Sequence, residues 1–295
     1  MPKEIEVLWY GGQRGSWCHA IVEWLTEGFT HRMDVKEVQG DGAIVVIKAD
    51  WDRDLNNLAK TITPLSWCLL IITANEDGGM GVTRDGDLLA IHVEDKVFIP
   101  RNCRVWLQTP HKHQTASRYI PWGWTPNCRV DAWPERTLDC SFAGQITHKR
   151  RWDMMSQFPK IAMSLKKWEF HGSDGFAKGI SQAEYYGLMA RSKVIPCPSG
   201  PLTVDSFRVC EALELGAVAL LDAASPTGPY PEYWERVFGA CPLSIIKDWN
   251  ELPVLLEIWS GNWPSVNNIV RMWWAAWKES LKQNLHQDLH DLGAL

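Results

Sequence analysis

Apolar runs of strand length alternate with helical patterns along this chain, with polar turns between them. Ile5 to Tyr10 is the first such run, closed by Gly11-Gly12 and followed by a helical pattern from Ser16 to Glu27. Ile44 to Ala49 and Trp67 to Thr73 are strand patterns separated by a helix around Asp54 to Thr63, and Arg104 to Gln108 is another strand. Runs that are apolar throughout belong to strands buried on both faces, so the succession predicts parallel sheets covered by helices. The pattern breaks where Pro121, Gly123, Pro126 and Pro134 fall close together. It then restarts. Strands at Cys140 to Gly144, Trp168 to His171, Lys193 to Cys197 and Val218 to Asp222 interleave with helices at Arg150 to Phe158, Gln182 to Arg191 and Ser206 to Leu215. The expectation is an α/β chain of two βαβ domains facing a cleft, residues 1–136 and 137–261. A long C-terminal helix in 262–295 would pack across both.

The 295 residues suffice for two domains of ordinary size, and 45% hydrophobic with 22% charged residues excludes disorder over most of the length. A formal charge of −5 gives no global attraction to nucleic acid and leaves only a local basic groove for such a partner. No apolar stretch approaches the ~20 residues of a membrane span, and Met1-Pro2-Lys3-Glu4 does not open a signal peptide. A cytoplasmic protein without a transmembrane segment is therefore expected. The eight dispersed cysteines form no C-x-x-C pair and read as reduced, structural thiols. The 18 tryptophans are too many for one site, so most must be packing. In the tail, Ile269, Val270, Trp273, Trp274 and Trp277 suit a helix packed on the domains. The rival is a membrane-surface helix flanked by Arg271, Lys278 and Lys282.

Lys193 to Val218 carries the most chemical information. A strand ends at Cys197, a Pro/Gly loop follows, Asp205 or Ser206 is a natural N-cap, and Gly216 suits the C′ position after Leu215. The unpaired amides and positive dipole of such a helix start suit a pyrophosphate. Arg208 and Glu211 lie three apart on one face, where Arg208 can reach a phosphate and Glu211 can accept from a ribose diol. The plainer alternative is that they pair with each other on an exposed face.

This segment resembles the donor-binding signature of GT-B glycosyltransferases, exostosin-like ones in particular, in which a Ser-Phe-Arg run opens a helix and Gly-small-Val begins the next strand. Two further segments are similar to that family. Ser141-Phe-Ala-Gly-Gln-Ile-Thr-His-Lys-Arg-Arg looks like its first strand, loop and helix, and Gly175 to Lys193 looks like the loop and helix before the signature strand. The likeness runs from Cys140 to about Asp248 and is weak before that. It implies two Rossmann-like domains and a nucleotide-sugar cosubstrate, a UDP-sugar, with no other cofactor and no metal. By position, Glu211 would hold the ribose, Ser206 and Phe207 would present amides to the phosphates, and Arg208 with Arg150 or Arg151 would neutralise the leaving pyrophosphate. Gly144 falls in the first loop, Lys178 is a further phosphate candidate, and Lys149 competes with Arg150 and Arg151 for one role.

The N-terminal half should supply an acceptor site and a general base. Glu76 and Asp77 follow the strand Trp67 to Thr73, at a carboxyl-end loop where α/β sites form. Their plainer reading is a solvated turn. His111 and His113 are alternatives after the next strand. Gly12 and Arg14 end the first strand on the acceptor side, without G-x-G-x-x-G spacing. Trp122 or Trp124 would stack on a sugar or a flipped base. The acceptor hydroxyl would belong to a glycan or to a 5-hydroxymethylpyrimidine in DNA, as in compact phage transferases of this architecture. Two rival readings use other residues. Asp50-Trp51-Asp52 and Asp85-Gly86-Asp87 are D-x-D triplets of the kind that hold a metal in GT-A transferases, and a non-catalytic nucleotide- or sugar-binding module would keep Glu211 and Arg208 without a base. His286 and His290 lie one helical turn apart but lack the intervening glutamate of a zinc protease.

Overall fold

The computed structural model describes residues 5–10, 18–33, 40–49, 62–74, 80–82, 87–90, 96–98, 102–112, 114–130, 132–164, 167–175 and 178–295. The chain forms two compact units, Met1–Pro126 with Trp277–Leu295, and Asn127–Ala276. The proline-rich stretch expected to end the first domain at residue 136 thus straddles the division. The tail helix, Trp263–Asp291, belongs by its first part to the second unit and by its last part to the first.

Among the described residues the first unit holds the strands β1 Glu6–Tyr10, β2 Thr30–Met33, β3 Gly42–Lys48, β4 Trp67–Thr73, β5 Met80–Val82, β6 Asp87–Ala90, β7 Lys96–Phe98, β8 Cys103–Gln108 and β9 Arg118–Ile120. Six of them make one sheet in the order β2-β1-β3-β4-β8-β9, parallel at every pairing. β5, β6 and β7 form a small antiparallel sheet between β4 and β8 in the chain.

Because side chains alternate across a strand, the apolar runs feed two cores. Val7, Trp9, Ile44, Val46, Leu69, Ile71 and Trp106 face one side, against Ile21, Val22 and Leu25 of the helix Ala20–Leu25 and against Leu281, Leu285 and Leu289 of the tail. Leu8, Val45, Ile47, Leu70 and Ile72 face the other side with Ile62 and Leu65. Full burial contributes about 1.5–3 kcal/mol for each such side chain. The tail carries a polar lock as well. Asp288, 2% exposed, accepts from Trp106 Nε1 at 2.8 Å and from Arg118 Nε at 3.1 Å. Further along the tail, Lys278 lies over the Trp24 and Trp124 rings and Lys282 over Trp24. No helix among the described residues is long and apolar enough to cross a membrane.

The second unit holds β10 Leu138–Gln145, β11 Trp168–Ser173, β12 Ser192–Cys197, β13 Val218–Asp222, a short β14–β15 hairpin (Ala224–Ser225 with Gly228–Pro229) and β16 Ile245–Ile246. Its main sheet runs β11-β10-β12-β13-β16, again parallel throughout. The α/β class therefore holds, with two sheets of parallel strands and a long C-terminal helix.

Local chemistry explains the helices between these strands. A capping box of Ser181 and Glu184 opens Gln182–Arg191. The helix Phe207–Glu214 closes as its sequence predicts: Gly216 has φ 68°, its amide donates to Leu213 O and that of Ala217 to Ala212 O, the Schellman pattern. Arg136 fastens both helix ends, donating to Met189 O and Ser192 O at 3.0 and 2.8 Å and also to Leu215 O. The helix expected over Arg150 to Phe158 ends early, and a second follows it. Lys149–Met155 and Phe158–Ser164 are separated at Ser156 and Gln157, where Ser156 Oγ donates to Asp153 O at 2.7 Å and competes with the helical ladder.

Candidate functional site in the second unit

In the second sheet the chain leaves β10 for β11 on one side and returns to β12 on the other. The carboxyl ends of β10 and β12 therefore flank the topological switch point, where open α/β sheets bind ligands. Three segments end there: the loop from Gln145 to His148, the loop from Cys197 to Ser206, and the start of the helix Phe207–Glu214.

Arg208 is 7% exposed. Its Nη2 donates to Ala143 O at 2.7 Å, and its guanidinium lies 4.4 Å above the Phe142 ring. Gly144 makes this approach possible: it has φ 153°, and a Cβ there would sit 2.4 Å from Arg208 Nη2. Arg151 is 6% exposed and donates from Nη1 to Gln145 O at 2.9 Å and from Nε to Ser199 O at 3.3 Å. Burial, then the charge of Arg208, pushes Arg151 down to about 9, with Tyr185 opposing, so the Arg151 guanidinium stays charged at neutral pH. Among the described residues neither has an ion-pair partner; both spend donors on carbonyls and repel each other. Two buried positive charges in no ion pair are costly even with the Glu211 and Asp205 carboxylates in the same surroundings, and an anion that joins them offsets that cost.

Glu211, 3% exposed, accepts from the Tyr185 hydroxyl at 2.9 Å. Burial and that carboxylate raise the Tyr185 phenol, while Arg208 lowers it, so Tyr185 feels both members of the predicted face. The plainer alternative of an exposed Arg208–Glu211 pair is not what the chain adopts: both residues are buried.

The three competing basic residues separate by environment. Lys149 is exposed and pairs with Asp153 at 2.7 Å. Arg150 is held by Asp222, which is 0% exposed and also accepts from Ser199 N, Ala224 N and Trp249 Nε1. Among the described residues, Arg151 is the one of the three in no ion pair. Lys178 is exposed on the loop after β11. Ser206 is the N-cap residue, as its sequence position suggests, but its side chain makes no cap bond; Asp205 Oδ1 accepts from Ser206 N instead, and Phe207 is the first helical residue.

Among the described residues several buried polar atoms here make no well-formed hydrogen bond: Ser199 Oγ, Ser206 Oγ, Arg208 Nε and both ring nitrogens of His148, which has the Ser199 backbone close by but poorly aligned. His148 and Ser199 were not singled out from the sequence. The one available signal was that His148 ends the same loop that leads to Arg150 and Arg151. Burial, then the charge of Arg151, holds the His148 imidazole down at about 4; the Ser199 backbone opposes this and Arg150 adds to it. An unfolded histidine titrates near 6.5. Between roughly pH 6.5 and 4 the unfolded chain thus binds the extra proton, and stability present above that window is lost as pH falls. Allowing for the ring's partial exposure, the loss is about 1–2 kcal/mol. Unfolding midpoints measured from pH 7.5 to 4 should fall more steeply in the wild-type chain than in His148→Gln; parallel curves would contradict this.

In the first unit, Glu76, Asp77, Gly12, Arg14 and His113 lie outside the described residues, as do Asp50, Trp51, Asp52, Asp85 and Gly86 of the D-x-D triplets. His111 is half-buried in a turn after β8, its amide donating to Gln114 Oε1 at 2.9 Å. Trp122 departs from expectation. It is 2% exposed, so its ring offers no open face for stacking. The backbone is strained at two adjacent strand ends, with Ala74 at φ 54° after β4 and Thr109 at φ 52° after β8. Buried Gln108 braces this edge: its Oε1 accepts from Ala74 N, and its Nε2 donates to Cys18 O, Pro121 O and Trp122 O. No group of three or more His, Cys, Asp or Glu among the described residues is placed to hold a metal ion.

No protein-family model and no curated protein matches the chain. Among solved structures it is similar to T4 phage BGT in complex with its UDP-glucose substrate, with 11% sequence identity over 96% of this chain and 98% of that one at a TM-score of 0.46. It is also similar to a T4 phage BGT mutant in complex with UDP-glucose, with 10% identity over 96% and 99% of the two chains at a TM-score of 0.44.

Proposed function

We propose that the chain is a glycosyltransferase whose second unit binds a nucleotide-sugar donor, a UDP-sugar, and delivers the sugar to a hydroxyl acceptor. One observation carries the reading: Arg151 and Arg208 are buried side by side at the switch point, neither in an ion pair among the described residues, with buried Glu211 one turn along the helix. A diphosphate supplies the missing negative charge, and Glu211 accepts from the ribose hydroxyls. The choice of uridine rests on the resemblance of the Ser206-Phe207-Arg208 segment to GT-B donor sites. In the reaction the acceptor oxygen attacks the anomeric carbon, and its proton passes to a base. The bond from that carbon to the diphosphate oxygen breaks, and the two arginines neutralise the nucleoside diphosphate that leaves. Glu76 or Asp77 is the proposed base, with His111 as the alternative. The acceptor is a glycan or a hydroxymethylated base in DNA.

Binding is tested by thermal shift with UDP-sugars, since a ligand at a hundredfold excess over Kd stabilises the native state by about 2.7 kcal/mol. Glu211→Gln should weaken donor binding by about 10- to 100-fold in a folded chain, the value of a charge-assisted hydrogen bond. Unchanged affinity removes Glu211 from the site, and no response to any nucleotide overturns the donor reading. Transfer of labelled sugar to hydroxymethylated duplex DNA, unmodified DNA and oligosaccharides separates the acceptors. DNA transfer should require the hydroxymethyl group and fall steeply with salt. Chelator should leave most transfer intact, because arginines carry the phosphate charge; a magnesium- or manganese-reversible loss would favour the D-x-D triplets instead.

A further inference from the structure

Of the six buried side-chain polar atoms without a partner among the described residues, five belong to His148, Ser199, Ser206 and Arg208. Those four residues stand on the three segments that end at the switch point of the second sheet. A buried polar atom left unpaired costs about 1–3 kcal/mol, so a cluster of them marks a place where something else completes the bonding. The chemistry of the absent partner is constrained. Arg208 Nε can only donate, and the two serine hydroxyls can donate, so the partner must bring several acceptor oxygens.

We propose that His148 is a proton-coupled ligand of the donor's diphosphate: when the diphosphate binds, the imidazole takes up a proton from solvent and donates a hydrogen bond to a phosphate oxygen. This rests on the donor reading above and adds a regulation to it. The free site holds the ring neutral, because it is partly desolvated and faces a cationic neighbour. Diphosphate reverses the balance: its two negative charges match the two guanidiniums and cancel their repulsion of the ring, a phosphate oxygen accepts from the imidazolium, and the Ser199 backbone already favours the protonated ring.

The charged groups around the ring are accounted for. On its own helix, Arg150 is tied to Asp222 and Lys149 to Asp153. Arg151 faces the ring, and Arg208 lies beyond it, beside Arg151. From β13, burial raises Asp222 but the Arg150 pair and the Ser199 amide oppose this. Asp248, before the short helical turn Trp249–Glu251, is exposed and held low by its bonds to Asn250. Of these groups only His148 is a histidine, the side chain whose charge normally changes between pH 5 and 8.

The probe is UDP-glucose, whose diester diphosphate carries no titrating proton in the range used. Its binding to the full chain is followed by calorimetry from pH 8 to 6, in two buffers of different ionisation enthalpy. The wild-type chain should bind about tenfold more tightly at pH 6 than at pH 8, with net proton uptake at neutral pH. His148→Gln keeps an amide donor but cannot titrate, so it should still bind while its affinity changes less than about twofold over the range. Wild-type binding that is tight but independent of pH, or a pH dependence that survives in His148→Gln, overturns the proton coupling and leaves the donor reading standing. A wild-type chain that binds no UDP-glucose at any pH overturns both.

Discussion

Arg208→Met should weaken UDP-sugar binding by about 100-fold or more while leaving the unfolding midpoint unchanged or slightly raised. Two charge-assisted hydrogen bonds to phosphate, at about 1.5–3 kcal/mol each, account for the loss. The stability expectation has the opposite sign because the guanidinium is a buried charge in no ion pair among the described residues, with one hydrogen bond, to Ala143 O, and a neighbour in Arg151 that it repels. A methionine fills similar volume over the Phe142 ring without that cost. Titration calorimetry with a UDP-sugar, paired with thermal unfolding of the free chain, reads both. A folded variant that binds as tightly as wild type removes Arg208 from the site. A large loss of stability would make it a structural arginine.

Asp222→Ala should do the reverse, lowering stability by about 3–5 kcal/mol. For a unit of this size that is a fall in unfolding midpoint of roughly 6–20 °C. The substitution strands the charge of Arg150 and leaves Ser199 N, Ala224 N and Trp249 Nε1 without their acceptor. Adding Arg150→Met to the variant should recover part of the loss, since the stranded charge then disappears. Arg150→Met alone should scarcely alter donor affinity, whereas Arg151→Met should reduce it about as much as Arg208→Met does. Equal donor affinity in the Arg150 and Arg151 variants would remove the distinction between them. Differential scanning calorimetry follows the stability terms.

Features that depend on residues close together in the chain were legible. Trp67–Thr73, Gln182–Arg191 and Val218–Asp222 have the bounds that their periodicity predicts, and Gly216 closes its helix as a residue free to adopt positive φ must. The helix start at Phe207 and the shared face of Arg208 and Glu211 follow from spacing alone. The edge strands Thr30–Met33 and Arg118–Ile120 were not legible. They are short and polar, held by main-chain bonds to a neighbour, so no apolar run announces them.

The roles of the basic residues divide in the same way. Lys149, Arg150 and Arg151 are adjacent and chemically similar, and nothing local separates them. Asp222, 72 positions from Arg150, takes that guanidinium, while helix geometry turns Arg151 into the buried edge beside Arg208. Trp122 and His148 follow the same rule, since burial is a property of the packed chain: one ring is closed off, and the other has both nitrogens buried inside the site beside the Ser199 backbone. Sequence alone determined the α/β class, the parallel strands and the helix that presents Arg208 and Glu211, because periodicity and turn chemistry act over a few residues. Which charges are compensated, and therefore where an anion is wanted, was decided only by tertiary structure, because a charge is neutralised by whatever distant residue the fold brings to it.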